Sequence, residues 1–431
     1  MTAELNKVVI VAGARTPFLD SAGDYAPLMT YQLGAVAISG LMDKTHLGPD
    51  AIDMLTMGTV LHETETPNVA REAMLTAGLN STTPAYTVSM AGLSATAGFA
   101  TLVDQIALGR VQSGIAAGVE SFSDIPIRFS QPVRRAAMKA RQNPSAKHVA
   151  KLLTGLRPKD LIPDMPSGTD FTTGKTMGVC AEQMVQRIPV SRKDCDAFAA
   201  RSHRLALEAI AAGHYDEEIV PVPVPGTDRV VSRDNTPRAD CTEARIANMP
   251  TLFDRDNGVV TAAGSSRFTD GAAALLVTSE TIAEQQGLTP LAEVIDYQLA
   301  GVHDLETEML LGPALSIPTL LKRNGLSMAD IDVWELHEAF AAQILVNVAC
   351  MAKKEYAATY YGGEVPGVLP LERLNAWGGS LALGNPFAAT GIRLLHTACR
   401  RLQVEQGEYA VVSSCAGGGL GAAVLLKRSA G

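Results

Sequence analysis

Residues Tyr409–Leu426 read YAVVSSCAGGGLGAAVLL. An apolar strand over Ala410–Ser413 runs to Cys415, then a glycine run, then a second apolar strand. Glycines at 417, 418, 419 and 421 let a turn point its backbone amides at a ligand and leave the thiol exposed. Two readings of Cys415 stand side by side: a reactive thiol at a turn, or a core cysteine of the kind often found buried. Cys350 and Cys399, inside helical patterns, take the core reading.

Two further stretches keep Cys415 company. His337 stands in WELHEAF, after an apolar strand and before a helical run. Asn385 stands in GGSLALGNPFAATG, ahead of the helical run Ile392–Leu402. With ARTPF at Ala14–Phe18 and CAGGGLG at Cys415–Gly421, these strings resemble the thiolase superfamily. The likeness is strongest to the 3-ketoacyl-CoA thiolase subunits of fatty-acid oxidation complexes. It covers nearly the whole chain. It implies an α/β fold of two similar βαβαβαββ halves, layered α/β/α/β/α, with an inserted loop domain. The expected boundaries are 1–123 with 259–286 for the N-terminal half, 124–258 for the loop domain and 287–431 for the C-terminal half. The resemblance also implies an acyl-CoA substrate, with coenzyme A arriving as the thioester and no bound cofactor. A homodimer or a dimer of dimers is expected.

The chain has 431 residues, 47% of them hydrophobic, enough for large cores in two or three domains. No uninterrupted apolar window long enough to span a bilayer occurs, and the first strand begins by Val8, so neither a spanning segment nor a signal peptide is expected. Six cysteines without framework spacing suggest a reducing compartment, read as cytoplasmic, and no CxxC pair offers a metal site. A net charge of −9 argues against nucleic acid as a partner.

In order, Lys7–Gly13 is a buried strand, Leu33–Met42 a small-residue helix and Met54–Leu61 a strand. Pro67–Gly78 is a helix with proline at its start and glycine after its end. Tyr86–Met90, Ser94–Leu108 and Val111–Val119 continue the strand–helix–strand rhythm, which predicts a layered fold with mostly parallel strands. Ser191 and Asp194 frame a near capping box for the helix Arg192–Ala212, within which His203 reads as structural. Ile219–Pro225, IVPVPVP, is an edge or linker because its prolines lack donors. The second half repeats the rhythm, broken by a tyrosine- and glycine-rich insertion at Lys354–Glu372 that is expected over the site mouth. One segment departs from the acidic average. Arg128–Lys159 holds nine basic residues and no acid, with a partly amphipathic pattern. It is either a solvated face or a surface for an anionic membrane, coenzyme A phosphates or a multifunctional oxidation subunit.

Thiolases pass an acyl group through a cysteine at a helix N-terminus, whose proton goes to a histidine of a GHP string. A second cysteine, which Cys415 resembles, moves a proton on and off the substrate carbanion. Here the nucleophile's place falls in Thr87–Gly98, TVSMAGLSATAG, where Gly92 stands, and Asn385 stands where the GHP histidine would be. The first cysteine of the chain is Cys180, so no shift of alignment rescues the nucleophile. Ser94 reads as a helix start rather than a substitute. What survives is electrostatic: His337 and Asn385 as donors to a thioester oxygen, and the backbone N–H groups of Gly92 and Gly417 as an oxyanion hole. The same resemblance puts Met177, Ser266 and Phe340 on the coenzyme A side, with Gly264 departing from the usual asparagine of that string. The expected function is carbanion or enolate chemistry on CoA thioesters, Claisen or decarboxylative, without an acyl-cysteine. A silent acyl-CoA-binding subunit and an atypical thiolase are the alternatives.

Overall fold

The computed structural model describes residues 5–429, so the outermost residues of the two expected halves lie outside the described chain. Val8–Arg15 (β1) is a continuous apolar run buried on both faces, as a central strand requires. Helix α1 (Thr30–Thr45), β2 (Met54–Gly58), α2 (Val69–Thr76), β3 (Ala85–Val88), α3 (Ser94–Ala107) and β4 (Ser113–Glu120) follow. The chain then leaves the sheet through α4 (Gln131–Gln142), α5 (Ala146–Thr154), α6 (Met177–Arg187) and α7 (Arg192–Ala211), and returns as β5 (Thr269–Ser279). The second half is β6 (Ala292–Gly301), α8 (Gly312–Arg323), β7 (Val333–Leu336), α9 (Ala341–Ala352), α10 (Phe387–Glu405), β8 (Tyr409–Ala416) and β9 (Leu420–Arg428).

These strands, with the short Leu19–Asp20 on β5, form one ten-stranded sheet in the order β7-β8-β9-β6-β1-β5-β4-β2-β3. The halves meet where β1 pairs β6 through only two residue pairs, Val9 with Glu293 and Ile10 with Ala292. Helices α3 and α10 lie between the halves. Their Phe99, Leu102, Ile106, Ile392 and Leu395 share a core with Leu275 of β5 and Val412 of β8. Outside the N-terminal half, α1 and α2 bury Leu33, Ile38 and Met74 against Leu55 and Ile115. Outside the C-terminal half, α8 and α9 bury Ile317, Leu320, Ile344 and Val346, with Met184 of α6 and Phe198 of α7 in the same core. This is the α/β/α/β/α layering expected of the sequence.

The strand sense differs from expectation. Only β2–β3, β2–β4 and β7–β8 are parallel; the five pairings between β8 and β4 across the centre are antiparallel. Each half ends in long strands that run against their neighbours, and hydrophobic periodicity carries no strand direction. The insertion at Lys354–Glu372 also differs. Its tyrosines face α8 and the segment just before it: the Tyr361 hydroxyl donates to the Ala314 carbonyl at 3.0 Å and Tyr360 to the Glu308 carboxylate at 2.8 Å. Its side chains thus buttress the outer helical layer, and none of these bonds reaches Cys415, His337 or Asn385.

Local signals are placed as read. Ser191 caps α7, accepting the Asp194 N–H at 3.1 Å, and Gly213 ends that helix at φ +74°. His203 is buried, its Nδ1 accepts the Arg238 N–H at 3.1 Å, and burial pulls its pKa down to about 4. In the ARTPF turn, Arg15 is buried between Glu218 and Asp234, and the His396 ring on α10 closes the cluster on Glu218 at 3.0 Å.

Candidate active site

The site forms where loops from both halves approach the end of β8. The backbone N–H of His337, just past β7, donates to the Ser413 carbonyl at 2.9 Å, so the WELHEAF loop continues the β7–β8 ladder. Ser413 and Cys415 are two apart in one strand and share a face of the sheet. From the N-terminal half, Gly92 reaches the same strand end. A Cβ built at Gly92 would lie 3.7 Å from the Ala416 Cβ and 3.9 Å from the Cys415 carbonyl oxygen.

Asn385 is tied in from the other side. Its backbone N–H donates to the Arg267 carbonyl at 2.9 Å, and its Nδ2 lies 3.3 Å from the Ser266 hydroxyl. The Thr390 hydroxyl donates to its Oδ1 at 2.9 Å, which fixes the amide with one Nδ2 proton to spare. The Ser266 N–H donates to the Ala339 carbonyl at 2.9 Å, and Phe340 bridges Ser265, so the segment holding Ser266 is strapped to the HEAF loop. Met177 Sδ lies 3.6 Å from where a Cβ of Gly417 would be. These contacts tie His337 and Gly92 to the strand that carries Cys415, Met177 to the turn after it, and Asn385 and Ser266 to the HEAF loop.

The elbow before α3 explains Ser94. Ala91 sits at φ +48°, a left-handed conformation unfavourable for a side chain and typical of functional turns. The Ser94 hydroxyl accepts the Met90 N–H at 2.8 Å and donates to the Ala91 carbonyl at 2.6 Å, with no exposed surface. Both of its roles are spent on holding the elbow, so Ser94 is structural. Gly92 itself is outside the left-handed region and meets only ordinary contacts. Neither backbone nor packing demands glycine there. Gly379 makes the contrast, because a Cβ at that position would collide with the Glu338 carboxyl.

Cys415 corrects the sequence reading. It lies inside β8 rather than on the turn, is 3% exposed, and burial pushes its thiol up to about 12. The glycines follow the strand instead of opening it: Cys415 still pairs Gly421, and the three-residue turn begins at Gly417. At neutral pH Cys415 is therefore a thiol, a proton donor before it is a base.

His337 is buried, and desolvation, with the nearby Arg393 charge, pulls its pKa down to about 3. It is a neutral imidazole at any ordinary pH. Its Nδ1 lies 2.9 Å from the Ser380 hydroxyl, which also accepts from Arg393 Nη2 at 2.9 Å. Its neighbour Glu338 turns away, accepting from Ser202 at 2.7 Å, Asn375 at 2.7 Å and the Leu381 N–H at 3.1 Å. Sequence reading missed Ser380 and Arg393. Ser380 stands inside the GGS string, and Arg393 is the first charged residue of α10, in FAATGIRLL, which is the available signal. A large groove of about 1380 Å³ lined by Phe198, Arg201 and Leu345 lies elsewhere and contains none of the site residues.

Two α/β halves built on one large central sheet, with α3 and α10 packed between them, define a thiolase fold. The chain superposes on the acetyl-CoA acetyltransferase of Bacillus anthracis with a TM-score of 0.84 at 28% identity, covering 99% of this chain and all of that one. Human mitochondrial 3-ketoacyl-CoA thiolase gives a TM-score of 0.82 at 27% identity with the same coverage. The chain belongs to the thiolase family: the profile for the thiolase N-terminal domain matches residues 8–281 and that for the C-terminal domain residues 288–428. Among relatives, the rat mitochondrial trifunctional enzyme subunit beta is 42% identical over 98% of this chain and 88% of its own. The 3-ketoacyl-CoA thiolase of Pectobacterium carotovorum is 37% identical over 99% of this chain and 98% of its own.

Proposed function

We propose that this thiolase-family chain acts on coenzyme A thioesters by stabilising a carbanion or enolate, without an acyl-cysteine intermediate. Gly92 stands in the nucleophile's place and Asn385 in that of the activating histidine. The observation that carries the reading is that position 92, with no side chain, lies against the end of the strand that carries Cys415, and that the backbone of His337 bonds to that same strand. A substrate thioester oxygen there would accept from the neutral His337 ring and the spare Nδ2 proton of Asn385, both in surroundings that strengthen such bonds. Met177, Ser266 and Phe340 would meet the coenzyme A side.

Among the possible C–C chemistries, a thiol near pKa 12 favours the decarboxylative one. In a malonyl-type thioester, the bond to the carboxylate breaks, its electron pair forms the enolate, and carbon dioxide leaves. No base is required. The Cys415 S–H then protonates the α-carbon, and water restores the thiol. In the Claisen variant the same enolate carbon attacks a second thioester carbonyl and expels coenzyme A as its thiolate, which takes a proton from water. The test is a panel of malonyl-, acetyl- and 3-ketoacyl-CoA with mass spectrometry of the products. Loss of carbon dioxide from malonyl-CoA, or condensation, is expected. Thiolysis of a 3-ketoacyl-CoA as the sole reaction would refute the proposal.

We further propose that Arg128–Lys159 meets an anionic membrane surface. Neither α4 nor α5 buries a residue, and Phe129, Met138, Leu153 and Ile162 are exposed beside the cations. Arg134 pairs Asp164 and Arg157 pairs Asp160, while Arg135, Lys139, Arg141, Lys147 and Lys151 make no ion pair among the described residues. Apolar side chains among free cations suit an interfacial helix. Such attraction fades as the Debye length falls from about 10 Å at 0.1 M salt to about 3 Å at 1 M. Vesicles containing anionic lipid are expected to retain the protein at low salt only, and Arg135→Glu with Lys139→Glu to release it. Retention unaffected by salt and by those variants, or none at all, contradicts the proposal.

A further inference from the structure

We infer that Arg393 and Ser380 are positioning residues that hold His337 with its proton on Nε2, as a hydrogen-bond donor facing the site. This deepens the proposed role of His337 and rests on it for its catalytic meaning. The geometry itself stands apart from that role.

The argument is one of donors and acceptors. Arg393 can only donate, and its Nη2 occupies one lone pair of the Ser380 oxygen at 2.9 Å. Ser380 has no exposed surface, so its own proton must go to a protein acceptor. His337 Nδ1, 2.9 Å away, is that acceptor. An acceptor Nδ1 in a neutral ring puts the proton on Nε2. The opposite tautomer would leave the buried Ser380 O–H without a partner, and an unmet buried donor is costly. The imidazolium fails for the same reason and would also face the Arg393 charge.

A histidine meant to take up a proton is commonly backed by a carboxylate on Nδ1, which favours the imidazolium. Here the backing is a hydroxyl polarised by a guanidinium, which disfavours it. The nearby carboxylates are otherwise engaged: Glu338 with Ser202, Asn375 and Leu381, and Glu335 with Arg401 at 2.8 Å. Arg393 Nη1 forms a buried ion pair with Glu335 Oε2 at 3.9 Å, and Arg393 Nε and Nη1 make no hydrogen bond among the described residues.

The test is nitrogen NMR of the full chain carrying 15N-histidine, with the His337 signals assigned by their loss in His337→Gln. The expected spectrum has an unprotonated Nδ1 and a protonated Nε2, unchanged from about pH 5 to about pH 8, where an ordinary histidine titrates. Ser380→Ala is expected to shift the Nδ1 signal and mix tautomers, and Ser380→Thr to restore the wild-type pattern. In turnover, Ser380→Ala is expected to lower kcat about tenfold or more with KM little changed, since it disturbs the donor and not the binding surface. A protonated Nδ1 in the wild type, or a Ser380→Ala spectrum equal to the wild type, overturns the inference. If the spectra behave as expected but no thioester turns over, the positioning inference stands and the proposed function falls.

Discussion

Gly92→Cys combined with Asn385→His is expected to give a protein that forms an acyl-enzyme with acetyl-CoA and thiolyses 3-ketoacyl-CoA far faster than the wild type. The elbow is already built: Ala91 holds its left-handed turn, Ser94 braces it, and α3 begins two residues beyond position 92. A Cβ there meets neighbours only at 3.7 and 3.9 Å, ordinary contact distances, so the backbone accepts a side chain. The nearby N-terminus of α3 favours the thiolate. The histidine at 385 supplies the base. Thiolysis is expected to rise by about a thousand-fold or more, a fraction of the roughly million-fold that a nucleophile supplies in a serine protease. Gly92→Cys alone is expected to gain far less, because a thiol without a base is mostly protonated at neutral pH. A folded double variant with no adduct by intact-mass measurement would show that position 92 is not the nucleophile's place.

Cys415→Ala is expected to cut decarboxylation or condensation by about a hundred-fold or more, the range that a positioned acid or base contributes. The substitution removes one sulfur from a strand interior and keeps the backbone pairing with Gly421, so thermal unfolding is expected to change little. The pH profile carries the sign. A thiol held near pKa 12 stays protonated through the neutral range, so as an acid it gives a rate independent of pH there, falling only as pH approaches 12. A base at the same position would give a rate that rises with pH across that range. A rising limb removed by Cys415→Ala would assign it as a base; equal rates in both proteins would remove it from the mechanism.

Much of this was legible in the sequence because the signals are local. The boundaries of β7 at Val333–Leu336 and of α7 from Arg192 follow from an apolar run and a capping serine. The short strings around Gly92, His337, Asn385 and Cys415 place the site at loop ends. The missing parts are those that local sequence does not encode. Strand direction in the centre of the sheet depends on which distant strands pair. The burial of Cys415 depends on β8 running one residue past it before the glycines take over. The Arg393–Ser380–His337 chain joins α10 to the WELHEAF loop, and only the fold makes Arg393 a neighbour of the site. The tyrosines of 354–372 carry no mark of which layer they cover.

The most direct test of the central claim is rapid-quench mass spectrometry of protein and product together while malonyl-CoA turns over in deuterated water. The account predicts acetyl-CoA carrying solvent deuterium at the α-carbon and a protein that stays unmodified at every time point. An acyl adduct that forms and decays at the rate of turnover, on Ser94 or on any cysteine, would contradict it.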